Sequence, residues 1–329
     1  MASPALRVLF VAIVGCALPS AARGQMPPIA AIDYYGLRSV PADSIAAALG
    51  LAPGDSVPRD PRPAVTRLEE VAGVQSARLE VVCCERGGSL VYVGVVEAGA
   101  PIPRFRPAPT GSPRLAPEIV AAGSRFDSAH QAAVMAGRGD EDIEAGHSLM
   151  SDSLARSIQR EFIVFAGRDE AALRAVLRSS ASARDRALAA QVIAYAPDKR
   201  AVVPALVEAL SDPDATVRNN AVRALALIAG LGARRPELAI RVPWEPFVAL
   251  LRSPHWSDRN KVSLALLSLT ETRHPALLAY LRSNAMPELR EMAQWKSRGH
   301  AFPALVVIGR IEGRTEEEIF KGLAESPPR

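Results

Sequence analysis

The strongest constraint on this chain is a helical pattern that recurs through its second half. Four blocks align on an arginine: ARDRALAAQVIA from Ala183, VRNNAVRALALIA from Val217, DRNKVSLALLSL from Asp258 and LREMAQWK from Leu289. The arginines are Arg184, Arg218, Arg259 and Arg290, at intervals of 34, 41 and 31 residues. An apolar helical segment precedes each block, at 171–177, 202–210, 247–251 and 277–281, with polar turns such as Ser211-Asp212-Pro213-Asp214 between. One such pair of helices cannot bury both of its apolar stripes, so neighbouring pairs must stack into a shared core. The helical spacing of Val217, Ala221, Ala224 and Ile228 places them in that core. Aromatic residues make up only 5% of the chain. Its small residues suit helices whose backbones approach closely.

The segment PALVEALSDPDATVRNNAVRALALIAG resembles a HEAT repeat, with its Asp-Pro turn, Val217-Arg218 and Ala221 where that family places them. The resemblance implies an array spanning 169–313 whose second helices line a concave, partner-binding surface. One candidate row of that surface is Arg186, Asn220, Lys261 and Met292; the row a turn along is Ala189, Arg223, Leu264 and Trp295. The stretch His255 to Lys261 opens a second helix, and stacking brings it towards Glu291, Trp295 and His300. The candidate groove for a protein or peptide is therefore Arg186, Asn220, Arg223, Trp256, Arg259, Asn260, Lys261, Glu291, Trp295 and His300. Arginine and tryptophan are favoured anchors at such surfaces. Two other readings stay open. One is structural: Asp258 caps its helix, an Arg–Glu pair bridges repeats and a tryptophan fills between them. The other is an enzyme site between repeats, centred on Trp256, Arg259, Glu291 and His300.

The first part of the chain follows a different period. Ile29 to Tyr35 is a short apolar strand, Ser44 to Leu51 and Pro63 to Val71 carry helical patterns, and Pro53-Gly54-Asp55 makes a turn. Val74 to Val82 and Leu90 to Glu97 alternate around Gly87-Gly88, as a hairpin does. The order βααββ, with Gly36, Ile45, Leu49, the Pro53-Gly54-Asp55 turn, Leu68, Gly73-Val74 and Val95–Glu97 in matching places, resembles the POTRA domain. That resemblance implies a module over 27–98 that binds proteins or peptides by strand pairing. No barrel-like run of strands follows it. The fold class expected is thus an α+β N-terminal βααββ module followed by an all-α HEAT-like solenoid.

Residues 99–117 (GAPIPRFRPAPTGSPRLAP) are too rich in proline for a helix and read as a stiff linker. Residues 118–168 read as a helical lead-in, with Asp152 or Ser151 capping a helix. In the 314–329 tail, Thr315 and Glu318 form a capping box.

Arg7, the apolar run VLFVAIVGCAL, Pro19 and SAARGQ have the order of an export signal over 1–24, cleaved after Ala22 or Gly24. Ile13-Val14-Gly15-Cys16 also fits a lipobox, which would place a lipid on Cys16. The run is shorter than the roughly 18–20 residues that span a bilayer. The expected location is periplasmic or secreted, with lipid anchoring at Cys16 as the alternative. Without Arg7 and Arg23 the formal charge falls from +4 to +2. With no concentrated basic stripe, that balance argues against a nucleic-acid partner. Cys83 and Cys84 are adjacent; on a strand they should face opposite sides, one buried and one exposed, with a vicinal disulfide or a metal site as the alternative. Phosphate-loop, nucleophile-elbow and HExxH signatures are missing, so neither catalytic residues nor a cofactor or metal is expected. Asp140-Glu141-Asp142-Ile143-Glu144 with His147 fails the calcium-loop pattern and reads as a solvated acidic turn.

Overall fold

A computed structural model of the chain describes residues 26–85 and 87–325. The expected signal segment and Cys16 lie outside the described residues. No helix among the described residues is long and apolar enough to cross a membrane.

The N-terminal elements follow the order read from the sequence: β1 (Ile29–Tyr35), α1 (Ala42–Leu49), α2 (Arg62–Glu69), β2 (Val74–Glu85) and β3 (Gly88–Glu97). The sheet order is β1-β3-β2, with β1 parallel and β2 antiparallel to β3. Val91, Val93 and Val95 on one face of β3 pack with Ile45 and Leu49 of α1 and Leu68 of α2. Every residue of β3 is buried, so its other face is covered as well. The expected one-sided alternation is corrected on this point. A central strand with two covered faces needs apolar residues on both, which is why LVYVGVV runs without a polar break. At the end of β3 the carboxylate of Glu97 accepts from the backbone N–H groups of Arg38, Ser39 and Val40 and from the Ser39 hydroxyl. Burial alone would raise its pKa, but these bonds prevail and hold it at about 2. They pin the β1–α1 loop, where Gly36 (φ +84°) lies so close to the Val95 carbonyl that no side chain fits.

The rest of the chain is mainly helical: α3 (Pro117–Met135), β4 (Glu141–Asp142), β5 (Leu149–Met150), α4 (Ser153–Arg168), α5 (Glu170–Ser179), α6 (Ala183–Ile193), α7 (Lys199–Ala209), α8 (Ala215–Arg234), α9 (Glu245–Leu250), α10 (Trp256–Leu269), α11 (Pro275–Asn284), α12 (Met286–Met292), α13 (Arg298–Ile311) and α14 (Glu316–Glu325). Asp152 caps α4, and the Thr315–Glu318 box opens α14. Two features lie outside the sequence expectation. The lead-in holds a β4–β5 hairpin between its two helices. The last hairpin ends in α13, a helix that the block from Leu289 misses; α12 is only seven residues long.

The compact units cut across the linear plan. One consists of 105–243, the other of 26–104 together with 244–325. The βααββ module therefore belongs with α9–α14. The proline-rich stretch is extended but is not a free spacer. Within the first unit, Arg106 N–H donates to Ser211 O at 2.7 Å, and Gly111 bridges to the α5–α6 turn through Ser179 and Ala181. In the second unit, Cys83 and Cys84 are both exposed and joined in a disulfide across a cis peptide. The expected split into one buried and one exposed thiol does not occur.

Candidate functional site

Val217, Ala221, Ala224 and Ile228 are buried in the core of the first unit, as their spacing requires. The arginine ladder has a different register from the one the sequence blocks suggest. Arg186 donates to Ser180 O, Arg218 to Asp212 O and Arg259 to Ser253 O, each reaching back six residues to the turn that opens its helix. Arg186, not Arg184, is thus the counterpart of Arg218 and Arg259. Buried Asp212 receives both Arg186, at 2.8 and 2.9 Å, and Arg106, at 2.7 Å. Burial pushes this carboxyl up, yet the two guanidinium groups win and hold it below its ordinary value. Phe105 lies 3.9 Å from the Arg218 guanidinium, a cation–π contact that covers the ladder.

Most of the expected groove is consequently interior. Arg186, Trp256, Arg259, Asn260, Trp295 and His300 are buried; Asn220, Arg223, Lys261 and Glu291 are half-buried. Of the flanking rows, Ala189 and Met292 are buried too. The physical reason is that the second helices are not one-sided. Helix α6 packs against α3, α4, α5, α7 and α8, and α10 packs against α9 and α13. Positions that a simple array would leave on a concave face are covered here. Asn220 Nδ2 donates to Ala187 O on the neighbouring helix.

Trp256, Arg259, Glu291, Trp295 and His300 do come together, but around the second face of the sheet. Trp256 stacks on Tyr92 of β3 at 4.9 Å, Trp295 lies edge-on to Tyr92 and Tyr35, and the Tyr92 hydroxyl is 2.6 Å from His300 Nδ1. Arg259 sits over the Tyr35 ring and donates to Glu291 Oε1, whose Oε2 accepts from Gly36 N–H at 2.7 Å. Burial pushes the Glu291 carboxyl up against the opposing pull of Arg259. Gly94 makes the close approach possible: a Cβ there would stand 2.6 Å from Pro254 O and from the Tyr35 ring. Asp258 does not cap α10. The capping residue is His255, and Glu80 of β2 supplies the acceptor for Trp256 N–H at 3.0 Å. Asp33 of β1 likewise accepts from the backbone N–H of Lys296, between α12 and α13, at 2.9 Å. The indole N–H groups of Trp256 and Trp295 have no hydrogen-bond partner among the described residues. Trp256, Arg259, Glu291, Trp295 and His300 thus meet where the sheet packs on α10, α12 and α13.

Arg223 is the exception, because its partner stands on the short β4–β5 hairpin. It clasps both oxygens of Glu141 on β4. Arg234, about three turns further along α8, donates to Ile143 O and Glu144 O at 3.2 and 3.3 Å. Gly146 rests on Leu231 of the same stripe. From the other side Arg156 of α4 holds Leu149 O and Met150 O and lies 3.9 Å from Asp142. The acidic turn is thus seated on helices and not solvated throughout. Sequence reasoning misses Arg234, although its spacing from Arg223 along α8 marks one face. Among the described residues no three His, Cys, Asp or Glu side chains gather to hold a metal ion.

Below the hairpin, His147 Nδ1 is 2.9 Å from Lys199 Nζ, which also donates to Ala194 O. Burial, then the Lys199 charge, holds His147 down to about 4, opposed by Asp142; burial brings Lys199 to about 8. A histidine held neutral in the folded state stabilises fully above its unfolded pKa of about 6.5. That contribution is lost as pH falls towards 4. The thermal midpoint of the intact protein should therefore fall between pH 6.5 and 4, and His147→Gln should flatten that part of the profile. An unchanged slope in the variant would show that His147 does not set it.

Residues 170–241, covering α5 to α8, match the family profile described as HEAT repeats. No curated protein matches the chain.

Proposed function

We propose that this chain is an exported, non-enzymatic adaptor that binds protein partners through its HEAT-type helices. The observation that carries the reading is the HEAT match over α5–α8, since stacked helix pairs of this kind generally serve protein–protein interaction. The N-terminal order of Arg7, apolar run and small residues supports export to the periplasm or beyond, with a lipid on Cys16 as the variant of that reading. The βααββ order and the β1-β3-β2 sheet support a POTRA-like module, with β2 as a long edge strand for a second partner, in a role such as envelope assembly.

The test is affinity capture from an envelope extract by the intact chain, with excess untagged chain as competitor. The expected result is a protein retained in near-stoichiometric amount and displaced by the competitor. Retention equal to that of an unrelated helical-repeat protein would contradict the reading.

A further inference from the structure

We propose that the face of α8 carrying Arg223, Leu231 and Arg234 is a binding site for an acidic segment of a partner protein, held in the resting state by the chain's own 140–146 hairpin. The inference rests on the adaptor reading above and names the chemistry of its partner.

Arg223 and Arg234 are eleven residues apart, which on an α-helix returns to nearly the same azimuth about 16 Å along the axis. An extended segment of about five residues spans that distance. Between the two arginines the stripe offers Leu227 and Leu231, both largely buried, and Gly230. The face therefore carries a cation at each end, with Leu231 beneath Gly146 between them. Its present occupant matches it piece by piece. Glu141 meets Arg223 with both oxygens, the Ile143 and Glu144 carbonyls meet Arg234, and Gly146 (φ +72°) settles on Leu231. Glu144 Oε2 is 3.7 Å from Arg234 Nε. Recognition of this kind uses carboxylates and main-chain carbonyls, groups that any acidic peptide offers.

The occupant is also built to leave. Strands β4 and β5 have two residues each. Asp140, Asp142, Glu144 and Ala145 are exposed, while Gly146, His147 and Ser148 behind them are buried. The Glu144–Arg234 pair lies at the surface, whereas the Glu141–Arg223 pair is mostly covered; the tip opens locally from its Glu144 end. The buried His147–Lys199 and Tyr195–Ser148 contacts anchor the hairpin's base when the tip moves. A stronger acidic ligand can take the arginines without unfolding the array.

The test uses a fluorescent synthetic peptide with the sequence of residues 138–148, titrated into the full chain at about pH 7. The double variant Glu141→Gln/Glu144→Gln weakens the resident hairpin and should bind the peptide about tenfold more tightly than the intact chain, the scale of a typical coupling between competing states. Adding Arg223→Gln/Arg234→Gln should abolish the gain, and a peptide with Gln and Asn in place of its acids should not bind. In the unaltered protein, excess acidic peptide should speed hydrogen exchange at the Gly146 and Ser151 amides, which are bonded within the hairpin region; this readout stands even if a variant fails to fold. Equal peptide affinity in all variants, or unchanged exchange at saturating peptide, overturns the proposal. Captured partners that the peptide fails to displace also overturn it while leaving the adaptor reading intact; no captured partner at all removes the adaptor reading itself.

Discussion

Replacing Asp212 by Ala should destabilise the unit over 105–243 by about 3–5 kcal/mol, the cost of stripping a buried ion pair of one partner. Asp212 is fully buried and is the common acceptor for Arg186 and Arg106. Arg186 is itself buried, so its charge would lose its counterion without gaining water. Asp212 Oδ1 also accepts from Asp214 N–H and so shapes the turn into α8. Urea unfolding followed by circular dichroism measures the loss. Arg186→Met combined with Asp212→Ala should cost less than the sum of the two single changes, because the stranded charge disappears. A single-variant loss below about 1 kcal/mol would contradict the central role given to this carboxylate.

Trp256→Ala should cost about 3–5 kcal/mol in the other unit, through lost burial and the cavity left beside Tyr92 and His300. Trp256→Phe is the informative companion. The indole N–H has no hydrogen-bond partner among the described residues, so only ring area is given up, and the cost should stay within about 1.5 kcal/mol. Equal losses for Phe and Ala would mean that the N–H has a partner, such as an internal water, that matters more than packing.

What is legible in advance follows the range of each interaction. The helices α5 to α8 are legible because periodicity, an Asp-Pro turn and a recurring arginine are all local signals. The βααββ order is legible for the same reason: alternation and Gly/Pro turns punctuate it. Tyr35 and Pro254, or Glu80 and Trp256, are joined across more than 170 residues, and no local pattern announces such pairs. Hence Trp256, Arg259, Glu291, Trp295 and His300, which repeat register draws together, stand against the sheet, with Glu291 half-buried and the other four buried. Helix α13 escapes the periodic pattern because Pro303 lies inside it. A proline that early forfeits one backbone bond near the helix start, a cost that the buried Ala304, Val306 and Val307 outweigh. The β4–β5 hairpin is invisible because two-residue strands carry no period.

The sheet face and helices α10, α12 and α13 form one interior. Three amides report on this directly: Gly36, Trp256 and Lys296 donate to the carboxylates of Glu291, Glu80 and Asp33 respectively. Each lies at or beyond the end of its regular element. Residue-resolved hydrogen exchange on the intact chain should find all three slow, close to the rates of β3 itself. Exchange at the speed of unprotected loop amides would show that the sheet and the helices are not joined in this way.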